Sequence, residues 1–175
     1  MIFIGLGANL PGPFGSPEEA LQAACKSFED YDLRIIRASR MYASAPVPVS
    51  DQPWYKNAVC GIKTSLSPED LITRLHHIES EFGRIRTYKN APRILDLDVL
   101  AYNDQIVNDG GLKVPHPRLH ERAFVLYPLQ EIAPDWRHPI LDKTVDELIE
   151  NLPEGQEIKA LEISLYSVDK RKYGS

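Results

Sequence analysis

The segment Arg93-Ile94-Leu95-Asp96-Leu97-Asp98-Val99-Leu100 sets two acids two residues apart within an apolar run. On a strand side chains repeat every two residues, so Asp96 and Asp98 share one face while Leu95, Leu97 and Val99 share the other. The result is a carboxylate pair on a rigid platform. At about 7 Å and an effective dielectric of about 20, the two charges repel by about 2 kcal/mol, a cost that a cation between them removes. Magnesium carrying phosphates is the most economical occupant, since it takes one or two carboxylates and completes its shell with phosphate oxygens. Acids on the polar face of a half-buried strand commonly do no more than solvate that face. These acids have company: Arg84, Arg86 and Arg93 precede them, and Pro115-His116-Pro117 and Arg122 follow. Cations gathered around two acids are what a polyphosphate site with its metal requires.

The pattern around this segment predicts the elements that position it. Residues 1–6 are an apolar run ending in Gly5-Leu6-Gly7-Ala8-Asn9, and Ser16-Pro17-Glu18-Glu19 is a capping box that opens a helix to about Tyr31. Residues 33–39 and 57–64 read as strands. Ser67-Pro68-Glu69-Asp70 opens a second helix, with Leu71, Leu75, Ile78 and Phe82 on one face and Gly83 at its end. After the acid-bearing strand, Asn103-Asp104 predicts a hairpin into Gln105-Ile106-Val107. A short helix is expected over residues 122–126, another is capped by Thr144-Val145-Asp146-Glu147, and residues 161–165 suggest a late edge strand. Hairpins mixed with helices point to an α+β layer, helices against an antiparallel sheet.

Composition narrows the function classes. The 175 residues suit a single domain with a real core. A net charge of −5 and a pI near 5.5 argue against nucleic-acid binding. Two cysteines, Cys25 and Cys60, are too few for a disulfide framework. With neither a secretory leader nor an 18-residue apolar run, the expectation is a cytoplasmic protein, monomeric and without a membrane partner. Gly5-Leu6-Gly7-Ala8-Asn9-Leu10 lacks the third glycine of a dinucleotide fingerprint, and there is no P-loop. The five histidines do not combine with cysteines at zinc spacing.

Ala91-Pro92-Arg93-Ile94-Leu95-Asp96-Leu97-Asp98-Val99-Leu100 resembles the signature of the 6-hydroxymethyl-7,8-dihydropterin pyrophosphokinase family (2-amino-4-hydroxy-6-hydroxymethyldihydropteridine diphosphokinase). Three more segments agree in order and spacing: Gly5-Leu6-Gly7-Ala8-Asn9-Leu10, Asp51-Gln52-Pro53-Trp54-Tyr55-Lys56-Asn57, and Val114-Pro115-His116-Pro117 followed by Arg122-Ala123-Phe124. The resemblance covers about residues 1–150 of a single domain and leaves 151–175 as a C-terminal extension. It implies a ferredoxin-like α+β fold with mobile loops over the site. The implied reaction moves the β,γ-diphosphate of ATP onto the hydroxymethyl group of the reduced pterin and releases AMP, a step of folate biosynthesis.

By the same resemblance, Asp96 and Asp98 hold two Mg²⁺ ions, and Arg84 and Arg93 join them in catalysis. Arg84, Arg86, Arg93, His116, Arg122 and His76 handle ATP, whose phosphate oxygens suit the planar arginine fork. Ser44, Val47, Tyr55, Asn57 and Phe124 receive the pterin, a flat polar ring that needs aromatic faces and an amide at its edge. There are departures. The 86–92 loop is shorter and lacks a tryptophan that closes the site in the family, with Tyr88 as the aromatic there. Ser44-Ala45-Pro46-Val47-Pro48 replaces a more usual Thr-Pro-Pro-x-Gly, and Gly111 stands where a basic residue can occur. Two other readings stay open: a catalytically silent nucleotide- and pterin-binding module of the same fold, and a magnesium-dependent nucleotide hydrolase.

Overall fold

Helix starts fall where the sequence puts its caps. In the computed structural model, which describes residues 1–46, 48, 50–83 and 94–168, α1 (Pro17–Ser27) begins at a reciprocal box. The Ser16 hydroxyl accepts from the Glu19 N–H at 3.2 Å, and the Glu19 carboxylate accepts from the Ser16 N–H at 3.1 Å. Ser67 caps α2 (Pro68–Glu81) through the Asp70 N–H at 3.1 Å. Thr144 and Glu147 repeat the box at α4 (Val145–Glu150). Helix α3 (Ala123–Ile132) differs, because Arg122 at its N-cap makes no side-chain capping bond.

The strands are β1 (Ile2–Ala8), β2 (Arg34–Ala38), β3 (Arg40–Ser44), β4 (Tyr55–Lys63), β5 (Asp96–Tyr102), β6 (Val107–Asp109), β7 (Leu112–Val114) and β8 (Ile158–Ser164). Six of them form one antiparallel sheet in the order β5-β1-β4-β3-β8, with β2 paired along the other half of β4. Treating β2 and β3 as one interrupted strand, the chain order β-α-β-β-α-β and the outer placement of β5 give the expected ferredoxin-like layer, to which β8 adds an edge.

Three local expectations are corrected. The strand expected over residues 33–39 is β2, but β3 follows it at once where no strand was expected, with Ser39 at the break: its hydroxyl accepts from the Val59 N–H at 3.0 Å and donates to the Arg40 carbonyl at 2.6 Å. The turn after β5 exists, with Asn103 at φ 52°, but β6 pairs with β7 (Val107 opposite Val114), so the hairpin closes one strand later than expected. Helix α3 runs to Ile132, well past residue 126, because its apolar face continues through Leu126, Leu129 and Ile132.

Both faces of the sheet are covered, but unequally. On one face Ile4, Leu6, Cys60, Leu97 and Val99 pack against Leu21, Leu71, Leu75 and Ile78 of α1 and α2. On the other, the described residues cover only the end carrying Phe3, Val59 and Leu100, with Val125, Leu126 and Leu129 of α3 and Leu148 of α4. The uncovered half of that second face holds Asp96 and Asp98. Burying Leu95, Leu97 and Val99 contributes about 1.5–3 kcal/mol each, more in sum than the repulsion of the two acids. A slip of one residue would put both carboxylates into the core. The register of β5 is therefore set by its apolar face, and the acids go where that face sends them.

Candidate active site

The floor of the uncovered half is defined by pairing register. Asp98 lies opposite Gly5 and Asp96 opposite Gly7 on β1, and Gly7 lies opposite Asn57 on β4. Directly paired residues share a face, so the bare Gly7 separates Asp96 from Asn57, and the bare Gly5 separates Asp98 from Val59. A Cβ on Gly7 would stand 3.0 Å from Asn57 Nδ2. The glycine is needed for this space, since its backbone is not in the left-handed region. Next across the sheet, the Ser44 hydroxyl donates to Asn57 Oδ1 at 2.6 Å, with both side chains buried. That bond fixes which end of the amide faces Gly7 and leaves the Nδ2 donors toward the cavity. On the pterin role that the resemblance gives Asn57, Gly7→Ala is expected to lower pterin affinity by about tenfold or more through displacement of Asn57, while Gly5→Ala, whose Cβ meets the Leu100 side chain first, has a smaller effect. Calorimetric titration of the pterin checks this, and unchanged affinity in Gly7→Ala would detach Asn57 from recognition.

Two cavities meet at the carboxylates. The first, of about 380 Å³, is lined by Ser44, Tyr55, Asn57 and Phe124 together with Asp96, Asp98 and Arg122. The second, of about 340 Å³, is lined by Ile72, His76, Lys113 and His116, again with Asp96, Asp98 and Arg122. The acid pair and Arg122 thus form a wall common to both chambers. The Arg122 guanidinium lies over the Phe124 ring at 5.4 Å. Its pKa is lowered by burial first and by Arg118 second, and Asp98 and Asp96 oppose that shift. An arginine starts so far above neutrality that the group stays charged despite this downward shift.

His116 sits in the turn after β7, with its N–H donating to the Leu100 carbonyl at 2.8 Å. Its Nδ1 accepts from the Arg118 N–H at 3.2 Å, so in the neutral ring the proton is on Nε2. Burial, then Arg122 and Arg118, push its pKa down from 6.5 to about 4, against a smaller upward pull from Asp96. His116 therefore offers a neutral donor at physiological pH. The folded state binds fewer protons here than the unfolded chain between those two pH values, so the stabilisation is complete above pH 6.5 and is lost as pH falls to about 4. His116→Gln should flatten this part of the stability-versus-pH curve in ligand-free protein with chelator, measured by urea unfolding. An unchanged curve would mean the ring titrates normally.

Of the residues singled out from the sequence, Asp96, Asp98, Arg122, Ser44, Tyr55, Asn57 and Phe124 line the first cavity, and His76 and His116 join the acids and Arg122 at the second. Arg84, Arg86, Arg93, Val47 and Tyr88, and with them the lid expected over residues 86–92, lie outside the described residues. Sequence reasoning missed Arg118 and Pro153 to Gln156 at the first chamber and Lys113 at the second. The bare face of β1 was legible in the two-residue spacing of Gly5 and Gly7. For residues 153–156, read as part of an ordinary extension, no local signal existed.

The acid pair suits a hard cation. Among the described residues no cluster of three or more His, Cys, Asp or Glu could hold a metal. An ion at Asp96 and Asp98 would thus take most of its ligands from phosphate and water, which fits Mg²⁺ and not a closed zinc site.

Comparison with known proteins bears on this arrangement. A profile of the family described as 7,8-dihydro-6-hydroxymethylpterin-pyrophosphokinase (HPPK) matches residues 3–134. The 2-amino-4-hydroxy-6-hydroxymethyldihydropteridine pyrophosphokinase of Pseudomonas aeruginosa is 42% identical over 139 residues, covering 79% of this chain and 83% of that protein. The Haemophilus influenzae protein of the same name is 39% identical over 158 residues, covering 90% and 96%. The folic acid synthesis protein fol1 of Pneumocystis carinii is 36% identical over 151 residues, but this chain spans only 20% of its length. Among solved structures, a Plasmodium falciparum HPPK-DHPS triple mutant superposes with a TM-score of 0.66 at 14% identity, over 85% of this chain and 43% of that one, a likeness of fold. The profile match runs through nearly all of β1, the acid strand and Arg122, the relatives cover most of the chain, and the chain belongs to the 7,8-dihydro-6-hydroxymethylpterin-pyrophosphokinase family.

Proposed function

We propose that the chain transfers the β,γ-diphosphate of ATP to the hydroxymethyl oxygen of 6-hydroxymethyl-7,8-dihydropterin, with the pterin in the first chamber and the nucleotide in the second. The observation that carries this division is the shared wall: both chambers open on Asp96, Asp98 and Arg122. The new bond joins the hydroxymethyl oxygen to the β-phosphorus, the bond from that phosphorus to the α,β-bridging oxygen breaks, AMP leaves, and the hydroxyl proton is released. A largely dissociative transition state asks mainly for alignment and charge neutralisation. Tyr55 and Phe124 offer aromatic faces to the pterin, and Asn57, held by Ser44, offers donors to its edge. His116 donates from Nε2 to a phosphate oxygen, and Arg122 neutralises charge at the wall. Asp96 and Asp98 would hold Mg²⁺, which when bound screens the triphosphate and supports its in-line geometry. His76 and the arginines Arg84, Arg86 and Arg93 complete the nucleotide side in this reading.

A cytoplasmic setting is part of the proposal, supported by two buried, unbridged cysteines, Cys25 and Cys60. No described helix is long and apolar enough to cross a membrane. A silent binding module is not favoured, because relatives matched along most of their own length carry the pyrophosphokinase name. The test is a product assay with ATP, Mg²⁺ and the hydroxymethyl pterin. Pterin-dependent AMP without ADP is expected; ADP would mean ordinary kinase or hydrolase chemistry, and binding without turnover the silent module.

A further inference from the structure

The segment after α4 builds part of the first chamber, and one side chain in it grips the backbone on both sides of Arg122. Gln156 Oε1 accepts from the Ala123 N–H at 2.9 Å, and its Nε2 donates to the Glu121 carbonyl at 2.8 Å and to the Pro153 carbonyl at 3.3 Å. Ala123 is the first residue of α3, and Arg122 at the N-cap supplies no capping bond of its own. The first free amide of α3 is thus capped from 33 positions away in the chain. The peptide before Arg122 and the peptide after it are held by the same amide group. The next residue anchors the opposite side of the chamber, since the Glu157 carbonyl accepts from the Ala45 N–H at 3.1 Å and Ser44 pairs with Ile158. The backbone that presents Arg122 is therefore tied, through residues 156–158, to the strand that presents Ser44.

We propose that Gln156 is a positioning residue for the transfer: it fixes the backbone of Arg122 so that the guanidinium stays in the wall between the two chambers. The Arg122 N–H donates to the Leu119 carbonyl at 3.4 Å, and its carbonyl accepts from the Val125 and Leu126 N–H groups at 3.1 and 3.0 Å; Gln156 adds bonds to the Glu121 carbonyl and the Ala123 N–H, one in each peptide that flanks Arg122. A side-chain amide suits the task, since it offers an acceptor to one peptide and a donor to the other from two separate atoms. The inference rests on the diphosphoryl transfer proposed above.

A four-protein cycle tests it, using the full chain: wild type, Gln156→Ala, Arg122→Ala and the double variant, read by the single-turnover rate of AMP formation. In the presence of Arg122, Gln156→Ala should slow the transfer by about tenfold. In the Arg122→Ala background it should change the rate by less than about twofold, because the group it positions is gone. If the two losses multiply instead, Gln156 acts on stability or on the pterin directly and the proposal is overturned. If Gln156→Ala does not fold, Gln156→Met keeps the length and packing of the side chain without its hydrogen bonds and takes its place in the cycle. A wild-type protein that forms no AMP would sink the reaction itself, whereas a wild type that turns over with multiplying losses sinks only the role of Gln156.

Discussion

Asp98→Ala is expected to abolish diphosphoryl transfer, with a loss of at least about 10³-fold, or about 4 kcal/mol of transition-state stabilisation, while the protein folds normally. The expectation of an intact fold comes from position: Asp98 is half-buried on the open half of the sheet, and its neighbours Leu97 and Val99 hold β5 in register from the opposite face. The expectation of a large catalytic loss comes from the shared wall, where no third acid among the described residues could take over as a metal ligand. Asp98→Asn separates charge from shape, because it keeps the side-chain outline and removes the negative charge. It should fail almost as badly. The check is the rate of pterin-dependent AMP formation beside a thermal melt of each variant; near-normal turnover in either would remove the metal-bridged account of the site.

Asn57→Ala is expected to lower pterin affinity by about 10²-fold, or about 2.7 kcal/mol, and to leave the affinity for an ATP analogue within about twofold. Asn57 is buried, lines the first cavity alone, and is locked by the Ser44 hydroxyl at 2.6 Å. Removing it takes away the ring-edge donors and strands a buried hydroxyl, and both consequences fall on the pterin side. Separate calorimetric titrations of pterin and of a non-hydrolysable ATP analogue decide it. Equal losses for the two ligands would mean that the chambers do not divide the substrates as proposed.

How much of this was readable beforehand depends on whether a feature was local. The carboxylate pair was legible because period-2 alternation is a local property, and β5 shows it over its first four residues, Asp96 to Val99, before the strand becomes buried on both faces. The helix caps were legible for the same reason. The division into two chambers was not, since it arises when register sets Gly5 and Gly7 opposite Asp98 and Asp96. The hairpin after β5 misled because Asn103-Asp104 does turn the chain, yet the partner of β6 is decided by the next turn, at Gly110 and Gly111 with φ of 57° and 91°. Gln156 was invisible: a glutamine in a polar stretch carries no sign of the amide it will cap 33 positions earlier.

The strand β8 has a consequence for how the molecule meets its own copies. Without it, β3 would end the sheet, and β3 carries four successive buried residues, Met41, Tyr42, Ala43 and Ser44. An outermost strand of that kind is a template onto which another chain can add. Strand β8 occupies this place and replaces it with a mostly exposed strand bearing Lys159 and Glu162. The profile match ends at residue 134, but the sheet is not finished there. An edge of exposed, charged residues disfavours edge-to-edge pairing with another copy of the chain, a consequence separate from any contact with substrate.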